Sequence, residues 1–294
     1  MLYDIKLRMS YDYERPANAG RHLLHLLPLN LPGEQRVLAG HLGANPAPQE
    51  RLDRADFFGN AATELFYRAP HRSIDFTVKA RVSRTCATPD IDGSPTLARL
   101  REEVVAQRSL GPASPVHFLA DSPWIVRDEA MTAYARETLA PGMSAYAAVR
   151  ALGERIHADF TYDGEATEVD TTPREAFAKR RGVCQDFAQV MIACLRGVGV
   201  PAGYVSGFLR TIPPPGRARL EGADAMHAWV RAWCGDRLGW VEYDPTNALA
   251  VAADHIVVAR GRDYGDVAPV KGVMRIAGGQ EISQAVDVVP LPEQ

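Results

Sequence analysis

Residues 180–200 read Arg180-Arg181-Gly182-Val183-Cys184-Gln185-Asp186-Phe187-Ala188-Gln189-Val190-Met191-Ile192-Ala193-Cys194-Leu195-Arg196-Gly197-Val198-Gly199-Val200. Apolar residues recur at 184, 187, 188, 191, 194, 195 and 198, the spacing of one helix face. Gly197 and Gly199, with Pro201 just beyond, end the helix. Cys184 therefore sits in the first turn, on the face that packs inward. The unpaired N–H groups and positive dipole end there favour a thiolate and can hold an oxyanion. Cys194, ten residues on, reads as a buried mid-helix thiol without either property. Asp186 reads as structural, and Lys179-Arg180-Arg181 as a solvated basic run.

A nucleophilic thiolate needs a histidine and a third group to orient it. Downstream, Cys234-Gly235-Asp236-Arg237 fits a two-residue II′ turn with Gly at its first central position. Pairing Cys234 with Arg237 and following the ladder outward opposes Trp229 to Glu242 and His227 to Asp244. Directly opposed residues share a face, with Cβ atoms about 5 Å apart, within reach of a carboxylate–imidazole bond. Trp229 and Trp240 are expected to shield that pair from water.

Around this centre the chain divides. The first 86 residues carry strand-like runs at Leu2–Met9, Arg36–Leu42, Ala62–Tyr67 and Ser73–Ser83, with Phe58-Gly59-Asn60-Ala61 as a two-residue hairpin loop. His22, His25, His41 and His71 are scattered and read as packing or surface residues. Turn formers between Cys86 and Pro95 mark a boundary. Helices are expected from Ser94-Pro95, over Asp128–Leu139, over Ser144–His157, and from the Thr172-Pro173-Arg174-Glu175 capping box. Strands follow at Ala202–Arg210, His227–Cys234 and Leu238–Asp244, and the segment Ile212–Met226 between them is the one long loop, placed to act as a lid. In the tail, Gly278-Gly279 reads as the turn of a hairpin between Val270–Ile276 and Glu281–Val289.

Composition bounds the partners. The 294 residues hold 33 Lys+Arg against 36 Asp+Glu, a net charge of −3, so neither nucleic acid nor an anionic membrane is expected as a partner. A length prior of about 150 residues per domain gives about two domains. Met1–Pro16 has no apolar core of a signal peptide, and a cytoplasmic location is expected. Four cysteines, at 86, 184, 194 and 234, are too sparse for a disulfide scaffold. A zinc site from Cys184, Cys234, His157 and His227 lacks close ligand spacing, and no nucleotide fingerprint or acidic calcium loop is present, so no metal or cofactor is expected.

Gly182-Val183-Cys184-Gln185-Asp186-Phe187, His227-Ala228-Trp229 and Tyr243-Asp244-Pro245-Thr246 together resemble the transglutaminase-like superfamily. So does Gly199-Val200-Pro201-Ala202-Gly203-Tyr204, except that Gly203 stands where family members commonly carry Arg. Tyr11-Asp12-Tyr13, Arg21-His22-Leu23-Leu24 and Asp56-Phe57-Phe58-Gly59-Asn60 are similar to the β domain preceding this core in bacterial members. The resemblance implies an α+β protein with a β-sandwich-like domain at 1–88. A papain-like core of helices on an antiparallel sheet would follow at 89–250, and a β tail at 251–294. It implies a Cys184–His227–Asp244 triad acting on a peptide or protein amide. Tyr162 is the candidate side-chain oxyanion donor, by analogy with papain-like enzymes. Hydrolysis through a thioester leads; transfer of the acyl group to an amine on the same triad is the alternative. A non-catalytic peptide-binding module is the third reading, and the complete Cys–His–Asp set argues against it.

Overall fold

The computed structural model describes residues 1–85, 91–211, 222 and 224–292. Cys86, the 88/89 boundary and most of the Ile212–Met226 segment lie outside the described residues.

The chain opens with β1 (Leu2–Leu24), β2 (Gln35–Asn45), β3 (Glu50–Ala55), β4 (Ala61–Tyr67) and β5 (His71–Arg84). Alternation makes the first sheet one-sided: Tyr3, Ile5, Leu7 and Met9 are buried while Lys6 and Arg8 are exposed. Ile74, Phe76, Val78, Ala80 and Val82 of β5 do the same. Strand β1 runs to Leu24, well past the expected end at Met9. Its pairing with β5 shifts between Asp12 and Ala17, after which the strand pairs with β4. The sheet order is β2-β5-β1-β4-β3, curled about the long β1. Strand β3 escaped the sequence reading because all six of its residues are exposed, leaving no apolar alternation. The loop joining it to β4 spans residues 56–60 rather than two residues. There the Asp56 carboxylate accepts from the Asn60 backbone N–H at 2.9 Å and its side-chain amide at 2.8 Å.

The second half contains α1 (Leu97–Ala106), α2 (Glu129–Thr138), α3 (Ala145–Asp159), β6 (Thr161–Tyr162), α4 (Pro173–Lys179), β7 (Arg181–Gly182) and α5 (Cys184–Gly197). The caps at Asp128, Ser144 and Thr172 stand where the sequence puts them. Helix α1 instead starts after Thr96. Thr96 bridges Ser144, and the Tyr146 N–H donates to the Ser94 hydroxyl oxygen at 2.9 Å, which holds 94–96 extended. Every residue from Asp186 to Arg196 is buried, so α5 is the central helix of the core.

Helix α5 packs on an antiparallel sheet in the order β11-β10-β9-β8-β12. Its strands are β8 (Ala202–Leu209), β9 (Ala225–Trp233), β10 (Trp240–Asp244), β11 (Leu249–Ala250) and β12 (His255–Gly261). The short α6 (Tyr264–Val267), β13 (Val270–Arg275) and β14 (Gln280–Leu291) complete the chain. Strands β13 and β14 do not form the expected hairpin with each other. Both pair antiparallel with β1, β14 along Leu2–Tyr13 and β13 along Asn18–Leu24. The two C-terminal strands thus join the N-terminal sheet as further strands beside β1. Among the described residues no helix is long and apolar enough to cross a membrane.

Candidate active site

Cys184 is the first residue of α5 and is half-buried. Its helix has no side-chain acceptor at the cap position, Val183; the cap comes from Asp186, whose Oδ2 accepts from the Val183 N–H at 2.8 Å and from Thr167 Oγ1 at 2.7 Å. Burial raises the Asp186 pKa. Gly182, at φ +155°, leaves room for this carboxylate; any Cβ there would overlap it. The N–H of Cys184 is an orphan donor of the first turn, available to an oxyanion.

His227 and Asp244 meet, but not in the expected register. Trp240 pairs with Trp233 and Tyr243 with Val230, a shift of two residues from the two-residue-turn prediction. Residues 234–239 form a longer connection, closed by Cys234 N–H on Gly239 O at 2.8 Å. Helix α1 draws it out: the Asp236 N–H donates to Glu103 at 2.9 Å and Gln107 donates to Asp236 at 2.8 Å. A shift of two preserves which face each side chain occupies. His227 and Asp244 are therefore diagonal neighbours on one face, and His227 Nε2 lies 2.7 Å from Asp244 Oδ2.

The remaining partners of Asp244 explain its position. Its Oδ1 accepts from the Thr246 and Asn247 N–H groups at 2.9 and 3.2 Å, and its Oδ2 from the Asn247 side-chain amide at 2.7 Å. This is the Asx-type turn that the Asp-Pro-Thr-Asn run supports. A second imidazole, His255 Nε2, reaches the same Oδ2 at 3.2 Å. Burial alone would raise the Asp244 pKa. Bonds from His227, His255 and Asn247 outweigh it and hold the carboxyl far below the usual carboxylate range. Burial would likewise lower the His227 pKa. Its bonds to Asp244 and Cys184, and the charges of both, carry it well above the ordinary imidazole value instead. With Nε2 committed to Asp244, the Nδ1 of His227 is the nitrogen left for the thiol.

The other expected residues separate. Trp229 is fully buried behind the pair, its ring 6.2 Å from His227 and 5.1 Å from His255, with Nε1 donating to Glu242 at 2.8 Å. Trp240 does not shield the pair; it stacks 4.9 Å from Phe118 and under Arg231 at 4.0 Å. Tyr162 is 60% exposed, with its backbone beside Gly182 and its hydroxyl within the electrostatic reach of Cys184. His157 bonds Thr246 O at 2.8 Å and Cys234 is buried at the far end of β9, so the Cys184–Cys234–His157–His227 set does not converge. Arg180 is no solvated cation: its guanidinium stacks on Tyr134, Phe160 and Phe177. At Gly203 a Cβ would come within 2.7 Å of the Phe118 ring, so the Arg that the resemblance leads one to expect has no space here.

The sequence reading missed His255 and Tyr204. His255 lies in the tail, 11 residues past Asp244, where strand pattern alone marks it as packing. Tyr204 is buried and lines the same cleft as Cys184 and His227. Burial first, and the nearby Cys184 second, push its pKa well up.

Residues 132–245 match the Transglutaminase-like superfamily profile, and residues 3–83 match the Bacterial transglutaminase-like N-terminal region. The chain belongs to the transglutaminase-like superfamily. Among superfamily relatives, the Mycobacterium tuberculosis protein Rv2569c, whose own function is uncharacterised, is 37% identical over 295 residues, covering 98% of this chain and 92% of that one. A Pseudomonas aeruginosa protein-glutamine gamma-glutamyltransferase is 35% identical over 108 residues, 35% of this chain and 16% of that protein. A solved Cytophaga hutchinsonii structure, described as a candidate cysteine protease, aligns with a TM-score of 0.77 at 20% identity. It covers 100% of this chain and 92% of its own, and the likeness is one of fold.

Proposed function

We propose that this superfamily member is a cysteine amide hydrolase that works through a thioester acyl-enzyme. The observation that supports it most is the 2.7 Å His227–Asp244 bond beside a cysteine at a helix N-terminus. On this reading the Cys184 thiolate adds to an amide carbonyl carbon, and the Cys184 N–H receives the oxyanion. The C–N bond then breaks, and the His227 imidazolium gives its proton to the leaving amine. Water, deprotonated by His227, attacks the thioester and releases the acid and the thiol. Asp244 holds the tautomer and offsets the imidazolium charge throughout. Tyr204 joins Tyr162 as a candidate side-chain oxyanion donor, and Trp229 keeps water from the His–Asp pair.

Transfer to an amine uses the same acyl-enzyme, and the region shared with the Pseudomonas glutamyltransferase favours keeping it. Peptide or protein amides are the substrates of either reaction. The free thiols at 184, 194 and 234 suit a reducing cytoplasm. The test is to screen short peptide amides against wild type and Cys184→Ala, following the intact mass of the enzyme. A mass increase equal to the acyl group, discharged by hydroxylamine and absent from Cys184→Ala, is expected. Turnover that persists in Cys184→Ala overturns the reading. Adding a primary amine during turnover separates the reactions: acid product alone means hydrolysis, and a new amide means transfer.

A further inference from the structure

The cleft that holds Cys184 and His227 has a volume of about 1080 Å³. One wall is the start of α5 with β8 and β9; the other is the β13–β14 edge of the N-terminal sheet, through Val273, Met274, Ile276 and Ile282. Among the described residues, no Asp, Glu, Lys or Arg lines it. Charge is not scarce nearby, since Lys271, Arg275 and Glu281 belong to the same two strands and stay out of the lining. Val273 is 79% exposed and Ile282 53%, so apolar side chains stand in water beside a nucleophile. Away from His227, which is already paired with Asp244, a charge entering such a cleft would leave its hydration without a charged side chain among the described residues to meet it.

Two further features describe the occupant. Among the described residues, β13 pairs only with β1, and so does β14 over residues 280–284. Their outer edges offer the N–H and C=O row to which an extended chain adds. Farther along the cleft, His22 is 2% exposed and neither ring nitrogen has a hydrogen-bond partner. Its ring packs 5.6 Å from Tyr67 and 5.9 Å from Phe76. The flanking position is Gly272, where a Cβ would lie 2.9 Å from the ring. Burial, with a smaller contribution from His71, lowers the His22 pKa to about 4, so the ring is neutral at pH 7 and offers one donor and one acceptor. An unpaired buried imidazole costs free energy that an uncharged polar group on a ligand would recover.

We propose that the acyl side of the substrate is an extended peptide segment with uncharged, mainly apolar side chains. It lies along the β13–β14 edge and bonds His22 through one neutral polar group. This assignment rests on Cys184 being the nucleophile. The probes are acetyl-Ala-Phe-Ala, acetyl-Ala-Asp-Ala and acetyl-Ala-Lys-Ala chloromethyl ketones. In each the Cys184 sulfur displaces chloride from the methylene carbon and forms a thioether. Rates are followed by mass spectrometry and normalised to iodoacetamide.

The phenylalanine probe is expected to react about tenfold faster than either charged one. His22→Phe, which keeps the ring packing, is expected to slow that probe about fivefold and leave iodoacetamide unchanged. Val273→Glu, at an exposed site, is expected to raise the lysine probe relative to the phenylalanine one. Equal rates for the three probes, or a phenylalanine rate unmoved by His22→Phe, overturn the substrate assignment while the nucleophile reading stands. Failure of iodoacetamide to single out Cys184 overturns both.

Discussion

One oxygen of Asp244 accepts from two imidazoles and an amide, and the other accepts from two backbone N–H groups. That set makes ionisation of the carboxyl nearly independent of pH near neutrality, and it keeps His227 charged where a free imidazole would be neutral. His227, raised above 6.5, contributes stability that is complete below 6.5 and lost as pH rises through its folded value. Asp244, depressed below 3.8, contributes stability present above 3.8 and lost as pH falls through its folded value. The pair therefore supports the fold across the neutral range and weakens at both extremes. Asp244→Asn is expected to cut kcat/KM by about 10² to 10⁴ and to move the alkaline limb of the rate profile down toward 6.5. A pH–rate series on both proteins checks it; an unmoved limb in Asp244→Asn contradicts the proposed coupling.

At the scale of elements, the site depends on how β9, β10 and α5 begin and end. Much of this was legible: caps at Asp128, Ser144 and Thr172 need only local chemistry, and so does the start of α5 at Cys184. The register of β9 on β10 was not, because its connection is held by Glu103 and Gln107, more than 120 residues earlier in the chain. The His–Asp meeting was legible all the same, since a shift of two keeps faces, whereas a shift of one would have turned Asp244 away. Glycines with required space carry the rest. Gly182→Ala is expected to push the Asp186 carboxylate off the Val183 N–H and to cost about 2–4 kcal/mol. Denaturant unfolding measures this, and a change below about 0.5 kcal/mol would show that the start of α5 tolerates the added Cβ.

Over the whole molecule, the N-terminal sheet does more than precede the core. Strand β12 is the outer strand of the core sheet, and its open edge is sealed by that sheet's side chains. Gln35 bonds both the N–H and the C=O of Val257, at 2.9 and 2.7 Å; Asn60 bonds those of Arg260, both at 2.8 Å. Arg84, fully buried, donates to His255 O at 3.0 Å, which fixes the second imidazole behind Asp244. These contacts join residues 171 to 222 positions apart, and β13 and β14 reach β1 from the opposite end of the chain. No local pattern reveals such partners, which is why the tail's place was illegible while its strands were not. Gln35→Ala is expected to lower stability by about 2 kcal/mol through three buried bonds lost, two to Val257 and one to Leu29 O. It should also reduce turnover, which a structural change remote from Asp244 would not do. Thermal unfolding and kcat measured together check both.

The central claim is that Cys184 is a thiol activated by His227. Burial pushes the Cys194 thiol up to about 12 and the Cys234 thiol higher still, so neither competes as a thiolate at neutral pH. The direct measurement is the iodoacetamide rate at each cysteine by peptide mass spectrometry, in wild type and His227→Ala, from pH 5 to 9. The account predicts that Cys184 reacts at least about tenfold faster than Cys86, Cys194 and Cys234 at pH 6, and loses that advantage in His227→Ala. Equal rates at Cys184 and Cys86, or a Cys184 rate indifferent to His227, would contradict it.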